Sequence, residues 1–286
     1  MSQDSARSLR KWLARGETFV LPEVWDVASA RVMVDAGFKA VGTSAASIAW
    51  AQGYLPHEHI KLEELLTIAA RIARGSSVPV NADINGGLAG DPAKVRKAVL
   101  AACAAGCAGV TFGDGYRNGS QGILPAGQVV ACIEAAREAS AASGTRIAIT
   151  VRTDVYLLAP EGGSPFEAAL ERSYRYFEAG ADCLLVTGVQ HPRVLSQLVA
   201  AADGPVAVAL ASPTPPPLSD FIEAGVACVT LGSSLMRGVL GNLRHRSQDL
   251  AAFGDFSGLQ KGVISPEEME ELLAARPGGD RTAETA

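Results

Sequence analysis

Asp83 and Asn85 are the residues whose types and spacing most directly suggest chemistry. They stand on either side of Ile84, just after a short apolar segment and before a glycine-rich loop that begins at Gly86. In parallel α/β proteins, catalytic groups lie at the carboxyl ends of the strands. An acid and an amide two positions apart resemble a metal site that lacks one carboxylate. Without a metal, Asp83 could act as a general base or hydrogen-bond to a polar substrate.

Polar side chains also follow the other apolar segments. Arg152 is the one fixed cation among them, and arginine binds carboxylate or phosphate groups through two parallel hydrogen bonds. We therefore expect a small anionic substrate and take Asp83 and Arg152 as the candidate catalytic residues. The candidate substrate-binding residues at these segment ends are Trp25, Ser44, Ala45, Ala46, Asn85, Asp114, Tyr116, Arg152 and His191.

Short, continuously apolar strands must position these side chains, and such strands are typical of a parallel sheet that is covered on both faces. An Ala-Gly pair precedes several of them, at 36–37, 105–106, 179–180 and 224–225. Each pair predicts a helix that ends at a glycine and turns into a strand. Eight strands are predicted, at Thr18–Leu21, Ala40–Thr43, Val78–Ile84, Gly109–Phe112, Arg146–Val151, Cys183–Thr187, Val206–Leu210 and Cys228–Leu231.

Segments with helical periodicity separate these strands, and eight strand–helix units predict a (β/α)8 TIM barrel rather than an open sheet. The loop at 86–90 does not match the G-x-G-x-x-G pattern, which argues against a dinucleotide site. We expect a barrel with an N-terminal helix over residues 1–242 and a C-terminal helical extension over 243–276. A disordered tail is expected over 277–286.

Composition and charge exclude several classes of function. A net charge of −5 and a pI near 5.5 argue against nucleic acid and anionic membranes as partners. No apolar run reaches the roughly 18 residues of a membrane span. The five cysteines lack zinc-binding spacing, so we expect them to be small buried hydrophobes. Their odd number, without a secretory signal, indicates a cytoplasmic protein.

Five segments occur in an order that resembles one known family. They are Val24–Arg31, Gly42–Tyr54, Ala82–Gly87, Ala108–Asp114 and Val151–Asp154. Each is weak alone, but together they resemble the isocitrate lyase/phosphoenolpyruvate mutase superfamily over most of the chain. The resemblance implies a TIM-barrel enzyme that acts on a small carboxylate or 2-oxo acid. It most often implies cleavage of a C–C bond beside an enolate.

The resemblance also implies a cofactor and a quaternary structure. Members bind Mg²⁺ with a ring of carboxylates, and the metal stabilises the enolate of a 2-oxo acid. By this resemblance Asp83 would be the direct Mg²⁺ ligand. The residues Ser44, Ala45 and Ala46 would bind the substrate carboxylate, and Arg152 would hold its anionic end. Similar proteins are homotetramers or dimers that exchange a C-terminal helix between subunits.

Three of the four carboxylates that this resemblance predicts are replaced, at Pro56, Asn85 and Gly113. A charge 4 Å from a metal contributes about 4 kcal/mol at an effective dielectric near 20, so their loss argues against tight Mg²⁺ binding. The acid/base cysteine loop of the lyases is also replaced, by Tyr116–Gly122. We expect carbon–carbon lyase chemistry through an enolate. Two alternatives stay open: a metal-independent isomerase, cyclase or hydrolase of specialised metabolism, and a non-catalytic barrel.

Overall fold

The computed structural model describes residues 2–14, 16–55, 60–85, 88, 90–118, 120–158, 163–210, 212–254 and 256–274. Nine parallel strands form a nearly closed barrel in the order β1-β11-β10-β9-β8-β5-β4-β3-β2, and β6 and β7 form a separate antiparallel hairpin. The predicted TIM barrel is confirmed. The strands are β1 (Phe19–Leu21), β2 (Glu23–Val24), β3 (Val41–Thr43), β4 (Val80–Asp83), β5 (Gly109–Gly113), β6 (Gly115–Asn118), β7 (Ser120–Ile123), β8 (Ala148–Thr153), β9 (Cys183–Val186), β10 (Val206–Ala209) and β11 (Cys228–Thr230).

Pro22 lies between β1 and β2 and divides the segment that closes the barrel. On one side of it, Leu21 of β1 pairs with Thr230 of β11; on the other, Glu23 of β2 pairs with Gly42 of β3. Pro22 has no N–H to donate to a ladder, but its carbonyl accepts the N–H of Gly42 at 2.8 Å. The first barrel segment thus extends past the predicted end at Leu21. Because side chains alternate along a strand, Glu23 faces the interior, as Leu21 does.

Helices surround this barrel and follow most of its strands. The repeated Ala-Gly pairs end four of them as predicted: an alanine caps α2, α5, α8 and α10, and the next residue is a glycine with φ between 76° and 105°. The helices are α1 (Ser2–Ala14), α2 (Val27–Asp35), α3 (Ala45–Ala51), α4 (Leu62–Gly75), α5 (Pro92–Ala104), α6 (Ala126–Ala142), α7 (Val155–Leu158), α8 (Pro165–Glu178), α9 (Pro192–Ala201), α10 (Leu218–Glu223), α11 (Ser234–Phe253) and α12 (Pro266–Ala274), with a 3₁₀ turn at Ser257–Gln260.

The N-terminal helix closes one end of the barrel. Its Leu9 and Leu13 are 1% and 5% exposed, and they pack with residues at the starts of the strands, such as Ala108, Ala148 and Cys183. Burial of a leucine side chain contributes about 1.5–3 kcal/mol. With the amino ends of the strands covered by α1, the carboxyl ends form the open mouth.

Two features differ from the sequence-based expectation. The loop after β5 contains the hairpin β6–β7, in which Tyr116 pairs with Gly122. The helix α11 runs without interruption through the boundary expected between residues 242 and 243. The tail expected at 277–286 lies outside the described residues. All five cysteines are free and buried, as predicted. Within the described ranges, no helix is both long and apolar enough to cross a membrane.

Candidate active site

Asp83 lies at the mouth of the barrel, at the last position of β4. Its Oδ1 accepts the N–H of Asn85 at 3.0 Å, and its Oδ2 accepts the N–H of Ala45 at 3.1 Å. The N–H of Asp83 itself donates to the hydroxyl of the buried Thr43, at the end of the neighbouring β3. These bonds from two strand ends hold the carboxylate in one orientation.

The pKa of Asp83 is raised, because burial disfavours its charge. The positive charge of Arg152 and the N–H groups of Asn85 and Ala45 oppose that shift without cancelling it. A rigidly held carboxylate with a raised pKa can accept a proton near neutral pH more readily than an ordinary aspartate.

Arg152 projects inward from β8 toward Asp83. Its Nη2 donates to Oδ2 of Asp154 at 3.0 Å, and its Nε is buried without a hydrogen-bond partner among the described residues. Burial alone would lower the pKa of Arg152, but the charges of Asp154 and Asp83 raise it, so the guanidinium stays cationic. The site therefore holds a positive charge with one buried donor available for a substrate oxygen.

Asn85 and Gly113, which stand where the resemblance predicts carboxylates, contact each other in this site. The Oδ1 of Asn85 accepts the N–H of Gly113 at 3.2 Å. A Cβ atom at Gly113 would lie 3.1 Å from both Cβ and Nε of Arg152, so the missing side chain makes room for the arginine. The third replaced position, Pro56, lies outside the described residues.

Glu23 is a member of the site that the sequence analysis missed. Its Oε2 accepts the N–H of Gly232, and the hydroxyl of Thr230 also hydrogen-bonds to it. Burial and the negative charge of Asp83 raise the pKa of Glu23 to about 8, although the N–H of Gly232 and the charge of Arg152 oppose the shift. An acid at an inward position of an otherwise apolar barrel strand is the signal that could have identified it. We call Glu23, Asp83 and Arg152 the inner cluster.

Behind the inner cluster lies a second set of polar residues, the outer network: Asp114, Asp154, Arg172, Tyr176 and Thr187. Oδ1 of Asp114 accepts the N–H of Asp154 at 2.9 Å. Its Oδ2 lies 3.2 Å from the Tyr176 hydroxyl and 3.3 Å from Nη1 of Arg172. Asp114 is fully buried, and burial raises its pKa. This placement favours a supporting role for Asp114 over direct substrate contact.

Asp154 joins the two sets of residues. Its Oδ2 accepts Nη2 of Arg152, and its Oδ1 accepts the hydroxyl of Thr187 at 2.5 Å. A Cβ atom at Gly115 would lie 1.9 Å from Oδ2 of Asp154, so only a glycine fits there. Asp154 thereby fixes the direction of the Arg152 side chain.

The remaining predicted residues lie around the mouth in different environments. Ser44 is buried and accepts the N–H of Ser47, as the N-cap of α3, while Ala46 is exposed. Trp25 is partly buried and packs beside α2 and β3. The hydroxyl of Tyr116 faces Gly122 across the hairpin. His191 is exposed before α9, and its side chain makes no capping bond. The structure thus brings Ala45, Asn85, Asp83 and Arg152 together, whereas Tyr116 and His191 make no described bond to them.

The described residues do not fit an Mg²⁺ ion, which requires an octahedral set of oxygen ligands at about 2.0–2.1 Å. Both carboxylate oxygens of Asp83 accept hydrogen bonds from backbone N–H groups, and the amide oxygen of Asn85 accepts another. Gly113 has no side-chain oxygen to offer as a ligand. In the described part of the chain, no group of three or more His, Cys, Asp or Glu side chains could hold a metal.

Comparisons with known proteins agree with this architecture. The profile of the phosphoenolpyruvate phosphomutase family matches residues 9–251. Phosphoenolpyruvate phosphomutase of Streptomyces viridochromogenes is 27% identical over 285 residues, which cover 95% of this chain and 88% of that protein. Oxaloacetate decarboxylase of Pseudomonas putida strain GB-1 is 32% identical over 203 residues, covering 68% and 67% of the two chains.

A solved structure of 2,3-dimethylmalate lyase, a member of the PEP mutase/isocitrate lyase superfamily, has a TM-score of 0.81 with 23% identity and covers 94% of each chain. At that identity the likeness supports the fold alone. The family profile covers most of the chain, and the decarboxylase is related over two thirds of it. This chain therefore belongs to the phosphoenolpyruvate phosphomutase family.

Proposed function

We propose that this protein is a carbon–carbon lyase that acts on a small carboxylate or 2-oxo acid through an enolate. Named relatives of the family include a phosphomutase of phosphoenolpyruvate and a decarboxylase of oxaloacetate. Both of those substrates are small carboxylates, and loss of carbon dioxide from oxaloacetate breaks a C–C bond beside a ketone. The inner cluster supplies the charge and the proton acceptor that such a reaction needs.

The unpartnered Nε of Arg152 is the observation that carries this proposal. A buried donor without an acceptor costs about 1–3 kcal/mol, so such groups are usually satisfied when a ligand binds. A carboxylate or enolate oxygen of the substrate would accept this N–H and lie beside the guanidinium charge. Arg152 would thus bind the substrate and stabilise the negative charge that develops on the enolate.

Asp83 has a complementary role in the proposed reaction. For a substrate with a hydroxyl group next to the bond that breaks, Asp83 accepts the hydroxyl proton. The C–O bond becomes a carbonyl, and the electron pair of the C–C bond enters the enolate. For a 2-oxo acid that loses carbon dioxide, Asp83 only orients Arg152, because no proton is removed. The N–H groups of Ala45 and Asn85 keep the carboxylate aligned in both cases.

A substrate screen tests this function. Purified protein is incubated with oxaloacetate, pyruvate and substituted malates, and the products are followed by proton NMR. We expect cleavage by the wild type and a loss of about 100-fold or more in Arg152→Gln, because one charge-stabilising donor is removed. Arg96→Gln is the matched control, since Arg96 is a partly exposed residue that pairs with Glu138. Equal turnover by wild type and Arg152→Gln would refute the proposal.

We propose further that activity does not depend on tightly bound Mg²⁺. The support is the donor set of the described residues, in which Asp83 is the single acid of the predicted ring that remains. Because residues 56–59 lie outside the described ranges and could add ligands, the test uses the whole protein. We expect EDTA treatment to leave cleavage nearly unchanged. Loss of activity with EDTA and its recovery with Mg²⁺ would overturn this part of the proposal.

We propose further that the protein is a cytoplasmic homo-oligomer, either a tetramer or a dimer. Its support is the exposed apolar surface of α11, where Val239, Leu243 and Phe253 are 56%, 55% and 82% exposed. Exposed apolar patches of this kind mark contact surfaces. We expect exchange of the C-terminal helices between subunits, and a monomeric mass in light scattering at micromolar concentration would contradict it. The named relatives are enzymes, which favours a catalytic barrel over the non-catalytic alternative.

A further inference from the structure

Cleavage of a C–C bond to an enolate leaves a carbon that must take up a proton before a neutral product forms. The acid/base cysteine expected in the hairpin region is absent from Tyr116–Gly122, and all five cysteines of the chain are buried elsewhere. The proposed function therefore assigns no residue to the protonation of this carbon. Glu23 is a partly buried acid of the site to which the proposed function gives no role.

Residues of two strands, β3 and β11, and of the loop after β11 hold Glu23 in place. Gly42, opposite it on β3, has no side chain; a Cβ atom there would lie 3.0 Å from Cγ of Glu23. From the end of β11, the N–H of Gly232 and the hydroxyl of Thr230 bind its carboxyl group. The side chain thus occupies a space that the neighbouring strands leave open for it.

Glu23 also lines a small cavity inside the barrel. One side of the lining is apolar and includes leucines of α1, whereas Asn81, Thr111, Thr150 and Thr230 give it polar groups. At that cavity, the amide group of Asn81 donates to the hydroxyl of Thr111 at 2.7 Å, and its Oδ1 has no hydrogen-bond partner among the described residues. A cavity with unsatisfied polar groups is suited to water, which could carry a proton to and from Glu23.

The charges that act on Glu23 come from two strands that do not pair with β2. Asp83 on β4 raises its pKa, and Arg152 on β8 lowers it. Burial raises the pKa of the nearby Cys228 thiol well above its usual value, so that thiol is neutral and adds no charge. Burial outweighs the attraction of Arg152. Glu23 consequently carries its proton at neutral pH while lying beside the two residues that bind and polarise the substrate.

We propose that Glu23 is the general acid that protonates the enolate carbon at this site. The electron pair of the enolate C=C bond forms the new C–H bond, the O–H bond of Glu23 breaks, and its electrons remain on the carboxylate. Water then returns the proton. In the reverse direction, ionised Glu23 removes a proton from the carbon next to a ketone. This inference rests on the proposed function, because it requires an enolate.

Deuterium exchange at the methyl group of pyruvate tests the reverse step without knowledge of the natural substrate. In D₂O, proton NMR follows the loss of the methyl signal, and calorimetry measures pyruvate binding. We expect exchange by the wild type whose rate rises with pH up to about 8 and then levels. Glu23→Gln should lose exchange by about 100-fold or more while it still binds pyruvate. Glu138→Gln, at an exposed position, should exchange as the wild type does.

Each outcome decides between the two proposals. Equal exchange rates and equal pH profiles in the wild type and Glu23→Gln would overturn the role of Glu23 and leave the proposed function standing. Binding of pyruvate by the wild type without exchange would do the same. A wild type that neither binds nor exchanges pyruvate, and that cleaves none of the screened acids, would overturn both.

A second variant covers the case in which Glu23→Gln fails to fold. In Gly42→Ala, the added methyl group would lie 3.0 Å from Glu23 and 3.3 Å from Leu21, so it displaces the acid without changing its chemistry. We expect exchange to fall about tenfold, since small misplacements of catalytic groups are costly, while the shape of the pH profile is kept. An unchanged exchange rate in this variant would count against Glu23.

Discussion

The inner cluster and the outer network contain similar residue types but differ in how their polar groups are satisfied. In the outer network, both oxygens of Asp114 have partners, and Asp154 is bonded on both sides. In the inner cluster, Nε of Arg152 has no described partner, and Glu23 has a pKa of about 8. Fully bonded buried networks make a structure rigid, whereas buried groups left partly unsatisfied are typical of sites that bind or react.

This difference in hydrogen bonding distinguishes the outer network from the candidate catalytic residues more clearly than their positions in the barrel do. Asp83 and Asp114 both follow strands of the barrel and both have raised pKa values because of burial. Asp114 accepts bonds from α8 and from the residue after β8, whereas Asp83 faces Arg152 in the mouth. The same residue type at equivalent strand ends therefore lies in two different environments.

Exchange of each aspartate for asparagine should give opposite effects, and this is the largest difference that we expect. Asp83→Asn should lower turnover by about 100-fold or more, because it removes the proton acceptor and the charge beside Arg152. Asp114→Asn should lower the free energy of unfolding by about 2 kcal/mol, because hydrogen bonds to a buried carboxylate are weakened, with little change in turnover per folded molecule. Steady-state kinetics and urea unfolding measure the two quantities.

The reverse pattern would remove the distinction between the two sets. If Asp114→Asn lost turnover without losing stability, the outer network would belong to the chemistry. If Asp83→Asn only destabilised the protein, the inner cluster would be structural.

A methyl group at Gly113 should have a smaller effect. In Gly113→Ala the new carbon would lie 3.1 Å from Arg152, so the guanidinium must shift by a few tenths of an ångström. We expect turnover to fall about tenfold and the folded state to persist in circular dichroism. Gly127→Ala is the control, because its added carbon would meet only the flexible end of Arg175, at 3.3 Å. Equal turnover in both variants would show that Arg152 tolerates displacement.

A further expected effect is a dependence of the free energy of unfolding on pH, which Glu23 of the inner cluster produces. The pKa of Glu23 rises from about 4.5 in the unfolded chain to about 8 in the folded protein. Between these values the folded state binds more protons than the unfolded state, so its stability falls as the pH rises from about 5 to about 8. The slope from this group is at most about 1.4 kcal/mol per pH unit.

Thermal unfolding of wild type and Glu23→Gln across this pH range measures that slope. We expect the melting temperature of the wild type, relative to Glu23→Gln, to fall by a few degrees per pH unit, since about 1 kcal/mol corresponds to roughly 2–4 °C in a domain of this size. A difference that stays constant from pH 5 to pH 8 would show that Glu23 does not titrate in this window.

Several elements followed from the sequence because their signals are local. The Ala-Gly pairs predicted helix ends, since a left-handed residue after a helix favours glycine, and the glycines have that conformation. The apolar strands between them predicted a parallel barrel. The order of the strand-end residues also led to Asp83 and Arg152, because every strand of a parallel barrel ends at the same mouth.

Glu23 did not follow from the sequence, because its role depends on distant residues. The Pro22 break, the missing side chain of Gly42 and the N–H of Gly232 together create its position, and Gly232 lies 209 positions from Glu23 along the chain. The hairpin β6–β7 was also missed, because the short, polar segment Gly115–Ile123 lacks apolar alternation.

The sequence by itself determined the barrel, the family and the strand ends at which the acids and the arginine stand. Those properties depend on residue patterns that repeat within each strand–helix unit. The tertiary structure alone decided which polar groups are satisfied, because a hydrogen-bond partner, a burial depth and a raised pKa arise only when separate strands meet. The tertiary structure thus leaves Asp114 fully hydrogen-bonded and brings Glu23 close enough to Asp83 and Arg152 for their charges to interact.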